Sequence, residues 1–358
     1  MGEGRVFAYV GSFTSERRKA RGDGINVYRV DPASGSFRHV QRVPDLVNPS
    51  FLALDRPQRH LYSVHADLDE VTAFRVNADS GELTLINRRS IGGKNPVHLA
   101  IDGTGRWLVT ANYAAGTVTT VAIEPDGSLG ALTDTLTLPG EPGPHRKEQT
   151  SSHPHHSPFD PSGRFVLVPD KGLDEVFVLR LDPATGKLAL NDPPAVKSRS
   201  GAGPRHVAFH PAMRLAYVLN ELDSTVTTYG WDGETGRLDA KQVVTTLPPS
   251  FTGDSTGSEI EVAPSSRFVY ASNRGHDSIA VFAVDPASGL LTPVQWELTQ
   301  GKKPRFFALG PGSIFLYAAN EQGDTIVTFQ VDPTTGKLAL AGQVVASKSP
   351  ACIVFAGG

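Results

Sequence analysis

The 358-residue sequence holds a single cysteine, Cys352, so no disulfide can form within the chain, and no Cys/His spacing has the form of a zinc site. The thiol reads as a small buried hydrophobe near the C-terminus. Neither charge sign dominates, since 34 Lys and Arg stand against 37 Asp and Glu for a formal net charge of -3. A protein built to neutralise phosphate backbones needs a basic excess, so nucleic acid is not an expected partner. No apolar run approaches the roughly 18 residues a membrane-spanning helix needs, and no membrane partner is expected. Met1-Gly2-Glu3-Gly4-Arg5 runs straight into Val6-Phe7-Ala8-Tyr9-Val10, without the regions of a secretion signal. The expectation is a cytoplasmic protein. Sustained helical periodicity is missing along the whole chain.

What the sequence does have is turns and short strands. It carries 36 Gly and 27 Pro with 39% hydrophobic residues, enough for a sizeable core. A polar turn of the form Asp-Pro-x-[Ser/Thr]-Gly-x-Leu, or a close variant, places a Gly at 35, 81, 127, 186, 236, 289 and 336. The gaps of 46, 46, 59, 50, 53 and 47 residues are within or slightly above the period of four-stranded propeller blades, and the longer ones mark loop insertions. Each turn follows a β-branched and aromatic segment such as Thr72-Ala73-Phe74-Arg75-Val76. The expected fold is therefore all-β, one seven-bladed propeller over residues 1–358 with four-stranded antiparallel blades. The last segment, Pro350 to Ala356, has nothing after it, and Tyr9-Val10-Gly11-Ser12-Phe13 has no strand before it. Together they are expected to form one blade that closes the ring and leaves no exposed sheet edge.

Each blade opens on a short motif, among them Asn48-Pro49-Ser50-Phe51, His153-Pro154-His155-His156 and Gly203-Pro204-Arg205-His206. Its third residue, here called the lead position, reads Ser50, Val97, His155, Arg205, Ser258, Arg305 and Ala351 around the ring. Fifteen residues later in six blades stands a polar residue, His65, Asn112, Asp170, Asn220, Asn273 or Asn320. A constant separation implies a fixed hairpin, so both sets should lie at the same end of every blade. The recurring Asn residues read as structural, bonding backbone within each blade.

Residues shared by all copies of a repeat serve the fold, and polar residues confined to a few copies need another explanation. The positions after the recurrent polar group read Ala66, Tyr113, Lys171, Glu221, Arg274 and Glu321, with Phe13 from the closing blade. His155, Arg205, Arg305, Lys171, Glu221, Arg274 and Glu321 all fall in four consecutive blades at one end of the ring. Convergent charge in a concave opening points to a site for a small ligand. His145 and the run Ser152-His153-Pro154-His155-His156 invite a metal reading, but strand alternation turns His153 and His155 one way and His156 the other, without nearby acidic ligands in a recognisable spacing. Neither metal nor cofactor is expected. The Pro/Gly-rich insertion from Leu138 to Thr150 can cover the opening, bringing Arg146 and Gln149 within reach of a ligand.

The stretches Ala111-Asn112-Tyr113-Ala114-Ala115-Gly116, Gly203-Pro204-Arg205-His206, Asn220-Glu221-Leu222-Asp223 and Ser272-Asn273-Arg274-Gly275-His276-Asp277 resemble the seven-bladed lactonase family. That family includes propeller-type 6-phosphogluconolactonases and fungal carboxymuconate lactonizing enzymes, and the likeness runs over essentially the whole chain. By motif position, the resemblance implies active residues at His155, Arg205, Glu221 and Arg274, all members of the cluster isolated by comparing blades. Two departures stand out: Ala66 where many members carry Glu, and Lys147-Glu148 interrupting an Arg-Gln-Glu-like run.

The resemblance implies hydrolysis of 6-phosphogluconolactone in the pentose phosphate pathway, without a metal. Glu221 or His155 would be the base, and Arg205 and Arg274 would stabilise the oxyanion or hold the carboxylate formed. Arg305 and Lys171 are candidates for the phosphate, with His206, Glu321 and Arg146 completing the expected substrate contacts. A muconate-type lactonizing cycloisomerase uses the same arginines and stays open as an alternative, as does a propeller that only binds, although 8% aromatic content suggests no large apolar rim patch. The expected partner is a small, anionic lactone, and the expected assembly a monomer or weak homo-oligomer.

Overall fold

A computed structural model describes residues 5–357. Residues 1–4, part of the signal-peptide reading, lie outside the described residues. Among those described, seven antiparallel sheets succeed one another around a ring. The first blade joins Pro350–Ala356, as its innermost strand, to Val6–Ser12, Ile25–Val30 and Phe37–Val43. This is the closure expected from the two incomplete ends of the chain, with Tyr9 opposite Val354 across the seam. Blades two to seven follow over residues 49–90, 96–137, 154–197, 204–245, 256–298 and 304–346. In the fourth, the inner strand is reduced to isolated bridges at Pro154 and Phe159. Pro154 and Pro158 lack the N–H that a continuous ladder requires. The segment is fastened instead by His155 N–H to Pro169 O and Leu167 N–H to Pro158 O, both at 3.0 Å.

The apolar core lies between blades. One cluster joins Tyr270 and Val281 of the sixth blade to Phe307, Leu316 and Phe329 of the seventh, and equivalent clusters fill every other junction, including the seam. The repeated turn locks neighbouring blades together. All seven turn glycines have φ between +70° and +84°, a region open to Gly without a Cβ penalty. Each also presses its Cα on a side chain of the preceding blade: Phe315, Phe7, His60, Trp107, Phe165, Leu215 and Phe268 in ring order. The Tyr62, Tyr217 and Tyr270 hydroxyls donate to the turn carbonyls of Gly127, Gly289 and Gly336. A second lock runs around the outside. Gln41, Asn87, Gln242, Gln295 and Gln343 each bond the backbone of the next blade's post-turn residue, as one more strand would.

Candidate active site

The lead positions share a backbone device. In six blades the inner strand carries one residue more than its partner at this point: register passes from Pro204 to His206, Pro304 to Phe306, Pro49 to Phe51, Pro96 to His98, Gly257 to Ile260, and from Pro350 to Cys352 at the seam. Each of these six lead residues sits in a β-bulge, which frees its side chain from strict alternation, while His155 lies on the irregular fourth-blade segment that no ladder constrains. Ser50, Val97, His155, Arg205, Arg305 and Ala351 accordingly line one central cavity, with Arg18, Phe51, Ala66, His206 and Phe306. The bulge also lets consecutive residues, Arg205 and His206, face the same space. Below the lead positions, Asn112, Asn220, Asn273 and Asn320 are buried and bond Thr or Ser hydroxyls of their own blade.

Glu221 is the hub of the charged wall. Its Oε2 lies 2.8 Å from Arg205 Nε and 3.2 Å from Arg274 Nη2, and its Oε1 lies 3.2 Å from Lys171 Nζ. Burial alone would raise this carboxyl, but Arg274, Lys171 and Arg205 outweigh it and hold the group well below the usual carboxylate range. A carboxylate so held is a poor proton acceptor, and Glu221 fixes the two guanidiniums beside it. Arg205 also donates to Ser258 O, and Arg274 to Gly257 O at 2.9 Å. Both are thereby held in place from the carboxylate and the backbone together. Because the two share a single carboxylate oxygen, positive charge is left over for a ligand anion.

His155 is buried, and burial together with Arg205, His206, Arg305 and Lys171 drives its imidazole well below its ordinary value, so it is neutral at pH 7. His206 is neutral for the same reasons, burial first and then Arg205 and Arg305. Ser50 Oγ, His155 Nδ1 and His206 Nε2, all on cavity-lining residues, have no hydrogen-bond partner among the described residues. Buried polar atoms without partners are costly, and in a cavity they mark where a ligand bonds.

The other expected residues are placed differently from one another. Lys171 is buried and bonded to Glu148 at 2.7 Å as well as to Glu221, so it braces the wall. Arg305 lies 3.7 Å from Glu321 and packs its guanidinium 4.8 Å from the Phe13 ring. Arg146 is exposed and bonds nothing in the site; the insertion brings Glu148 to the wall instead, because Gln149 anchors the loop through Lys171 O and Asp174. In the histidine run, His153 stacks on Tyr113 and His155 meets the same ring edge-on at 5.7 Å, while His155 and His156 both approach His206, at ring-centroid distances of 5.2 and 4.2 Å. Among the described residues, no three His, Cys, Asp or Glu side chains are grouped to hold a metal ion.

Two residues escaped the sequence reading. Arg18 lies on a one-turn 3₁₀ segment, Glu16–Arg18, inserted in the first blade, and its guanidinium is 4.5 Å from the same Phe13 ring. It stands outside every repeat column, so blade comparison has no access to it. Glu259 sits in the sixth-blade bulge, its Oε1 3.0 Å from His206 Nδ1. It was findable: the residues after the lead positions read Phe51, His98, His156, His206, Glu259, Phe306 and Cys352, and one acid among rings is conspicuous.

A seven-bladed ring whose axial opening gathers guanidiniums, a framed carboxylate and neutral imidazoles defines a propeller with an acid-base site for a small molecule. A family profile described as "Lactonase, 7-bladed beta-propeller" matches residues 7–355. The chain is 34% identical over 353 residues to the 6-phosphogluconolactonase of Bacillus subtilis (strain 168), covering 98% of both sequences. It is 32% identical over 310 residues to the 6-phosphogluconolactonase of Formosa agariphila, with 84% of this chain and 85% of that one covered. Among solved structures, the periplasmic gluconolactonase of Pseudomonas aeruginosa superimposes with a TM-score of 0.90 at 32% identity, covering 99% of each chain. The protein belongs to the lactonase family of seven-bladed β-propellers, and its enzyme class is that of the carboxylic-ester hydrolases.

Proposed function

We propose that this lactonase hydrolyses 6-phosphogluconolactone to 6-phosphogluconate, the lactone-opening step of the pentose phosphate pathway, without help from a metal. The observation that carries the reading is the pair of cation groups at the cavity: Arg205 and Arg274 framed by Glu221, and Arg18 and Arg305 gathered on Phe13. Water adds to the lactone carbonyl while a neutral imidazole of the cavity takes its proton. The carbonyl oxygen becomes anionic opposite the Arg205 and Arg274 guanidiniums, which are already oriented and need not reorganise. Collapse of the adduct breaks the ring C–O bond, and the imidazolium returns its proton to the leaving ring oxygen, giving the open hydroxy acid. Arg18 and Arg305 hold the phosphate, with forked donors suited to its oxygens.

The names of the relatives support both a phosphorylated and a plain sugar lactone. Activity with each, measured with and without EDTA, tests the reading: turnover of 6-phosphogluconolactone at a higher kcat/KM than gluconolactone, unchanged by chelator, is the expected result. Loss of turnover in EDTA refutes the metal-independent mechanism, and preference for gluconolactone refutes the substrate. The reading carries a cytoplasmic site of action with it, because a phosphorylated sugar cannot enter a bilayer without desolvating its charges. Fractionation of the producing cells checks the compartment.

A further inference from the structure

Resting on the lactonase reading, we infer that the general base is His206, held in its basic tautomer by Glu259 as a positioning residue, a buried dyad beneath the arginine wall. Glu259 Oε1 accepts the Ile260 N–H at 3.0 Å and lies 3.0 Å from His206 Nδ1. An oxygen already accepting from a backbone amide faces Nδ1 as an acceptor, so Nδ1 carries the hydrogen. The lone pair then resides on Nε2, which has no partner among the described residues, on a residue that lines the cavity. The ring cannot swing away. His156 stacks on it with planes 8° apart, and His156 Nδ1 accepts the Val207 N–H at 3.2 Å.

Neither of the other proton acceptors is so equipped. Glu221 is committed to three cations. Among the described residues no carboxylate bonds His155, and the charged groups bearing on it are Arg205, Arg305 and Lys171. An imidazolium formed there meets only repulsion, whereas one formed on His206, although Arg205, Arg305 and Arg274 oppose it too, has the Glu259 carboxyl 3.0 Å away and is stabilised by it once that group is ionised. In the step itself, Nε2 takes one proton from the attacking water as the new C–O bond forms. It returns that proton to the ring oxygen as the old bond breaks, so the dyad ends unchanged.

The groups bearing on the dyad give it a pH signature. Glu259 faces His206, Arg205, Arg305, Glu261 and Cys352; His206 also faces Arg274, Glu221, His155, His156 and His98. Burial, opposed by Arg205, pushes the Glu259 carboxyl up to about 8. The dyad thus gains its stabilising carboxylate as pH rises through that value, and kcat should rise with it.

The test uses the purified full chain with 6-phosphogluconolactone and gluconolactone, spontaneous hydrolysis subtracted, from pH 6.5 to 9. His206→Asn is expected to lower kcat by roughly 10²-fold or more with KM within about threefold, the size of a lost general base. Glu259→Gln is expected to lower kcat and flatten its rise around pH 8, and Glu259→Asp to restore part of both. His155→Asn should keep the pH profile. Thermal melts accompany each variant; if Glu259→Gln unfolds, the profile of Glu259→Asp decides. A wild-type kcat in His206→Asn together with a collapse in His155→Asn overturns the assignment, as does an unaltered pH profile in both Glu259 variants. Wild-type protein inert toward both lactones refutes the functional reading on which the inference stands, a result distinct from either.

Discussion

Arg18→Ala should convert a phosphate-preferring lactonase into one that treats both sugar lactones nearly alike. Arginine has five N–H donors. Nε and one Nη2 hydrogen of Arg18 are engaged by Asp67, at 2.7 and 2.9 Å, so three donors stay free toward the cavity. A hydrogen bond to a charged group contributes about 1.5–3 kcal/mol. The Arg18 side chain keeps 27% of its exposure and already has an anionic partner, so the lower end applies. About 1.5 kcal/mol corresponds to roughly a tenfold fall in kcat/KM for 6-phosphogluconolactone, against less than about twofold for gluconolactone. Initial rates by pH-stat for the two substrates give both numbers. Repeating them at high salt should shrink the difference, because a partly exposed charge pair is screened. An equal loss for both substrates, or none for either, refutes the phosphate assignment. Arg18 lies on a short surface insertion, so loss of the fold is not a competing outcome of this truncation.

Three further outcomes follow from the packing and the charge frame. Glu221→Gln leaves Arg205, Arg274 and Lys171 without their shared counter-charge and should cost about 3 kcal/mol in urea unfolding at pH 7. Because the folded carboxyl is held below its unfolded value of 4.5, that stabilisation is fully present above about pH 4.5 and is lost only as pH falls through the lower folded value. The stability gap between wild type and variant should therefore persist at pH 5 and close only in stronger acid. Gly236→Ala and Gly105→Ala impose a Cβ at the same φ of +73°, but only Gly236 would place it 2.6 Å from Phe165, with nothing within 4 Å at Gly105. Thermal melts should show Gly236→Ala the more destabilising by about 1–3 kcal/mol, the cost of overpacking a blade junction. Gln242→Leu strips the bonds to Leu291 N and O, at 2.8 and 2.9 Å, and should cost about 1–3 kcal/mol in the same assay.

The fold was legible because a repeat states each structural requirement seven times. The turn glycines are fixed by φ and by the ring pressed on each of them, and neither requirement tolerates drift. The outer amide lock recurs in five blades but was not read, since its amide is Gln in four blades and Asn in one, six residues after the turn glycine at Gln41, Asn87, Gln242 and Gln295 and seven at Gln343. In the site, Arg205, Glu221 and Arg274 were legible as blade-specific charges in shared columns. Their division of labour was not, because whether a carboxylate is a base or a frame depends on how many cations reach it, a distance that strand order does not encode. Arg146 and Glu148 show the same limit in a loop: which of two charged neighbours turns inward is decided by Gln149, whose side-chain amide donates to Lys171 O and Asp174, more than twenty residues away.

The bulges explain why a propeller of this kind can hold chemistry at its axis at all. An inner strand packed between two neighbouring blades spends both of its alternating faces on those neighbours, which leaves no side chain for the opening. One extra residue per strand supplies it at almost no cost to the ladder, and the fold can then vary seven lead residues independently of its core. Here that freedom is used unequally. Ser50, Val97 and Ala351, joined by Ala66, make one side of the cavity small and weakly polar, while His155, Arg205 and Arg305 make the other side cationic and basic. In the proposed function the reacting carbonyl faces the guanidiniums of the cationic side, and selectivity for the group at the far end of the sugar falls to what the first-blade insertion presents, which in this chain is Arg18.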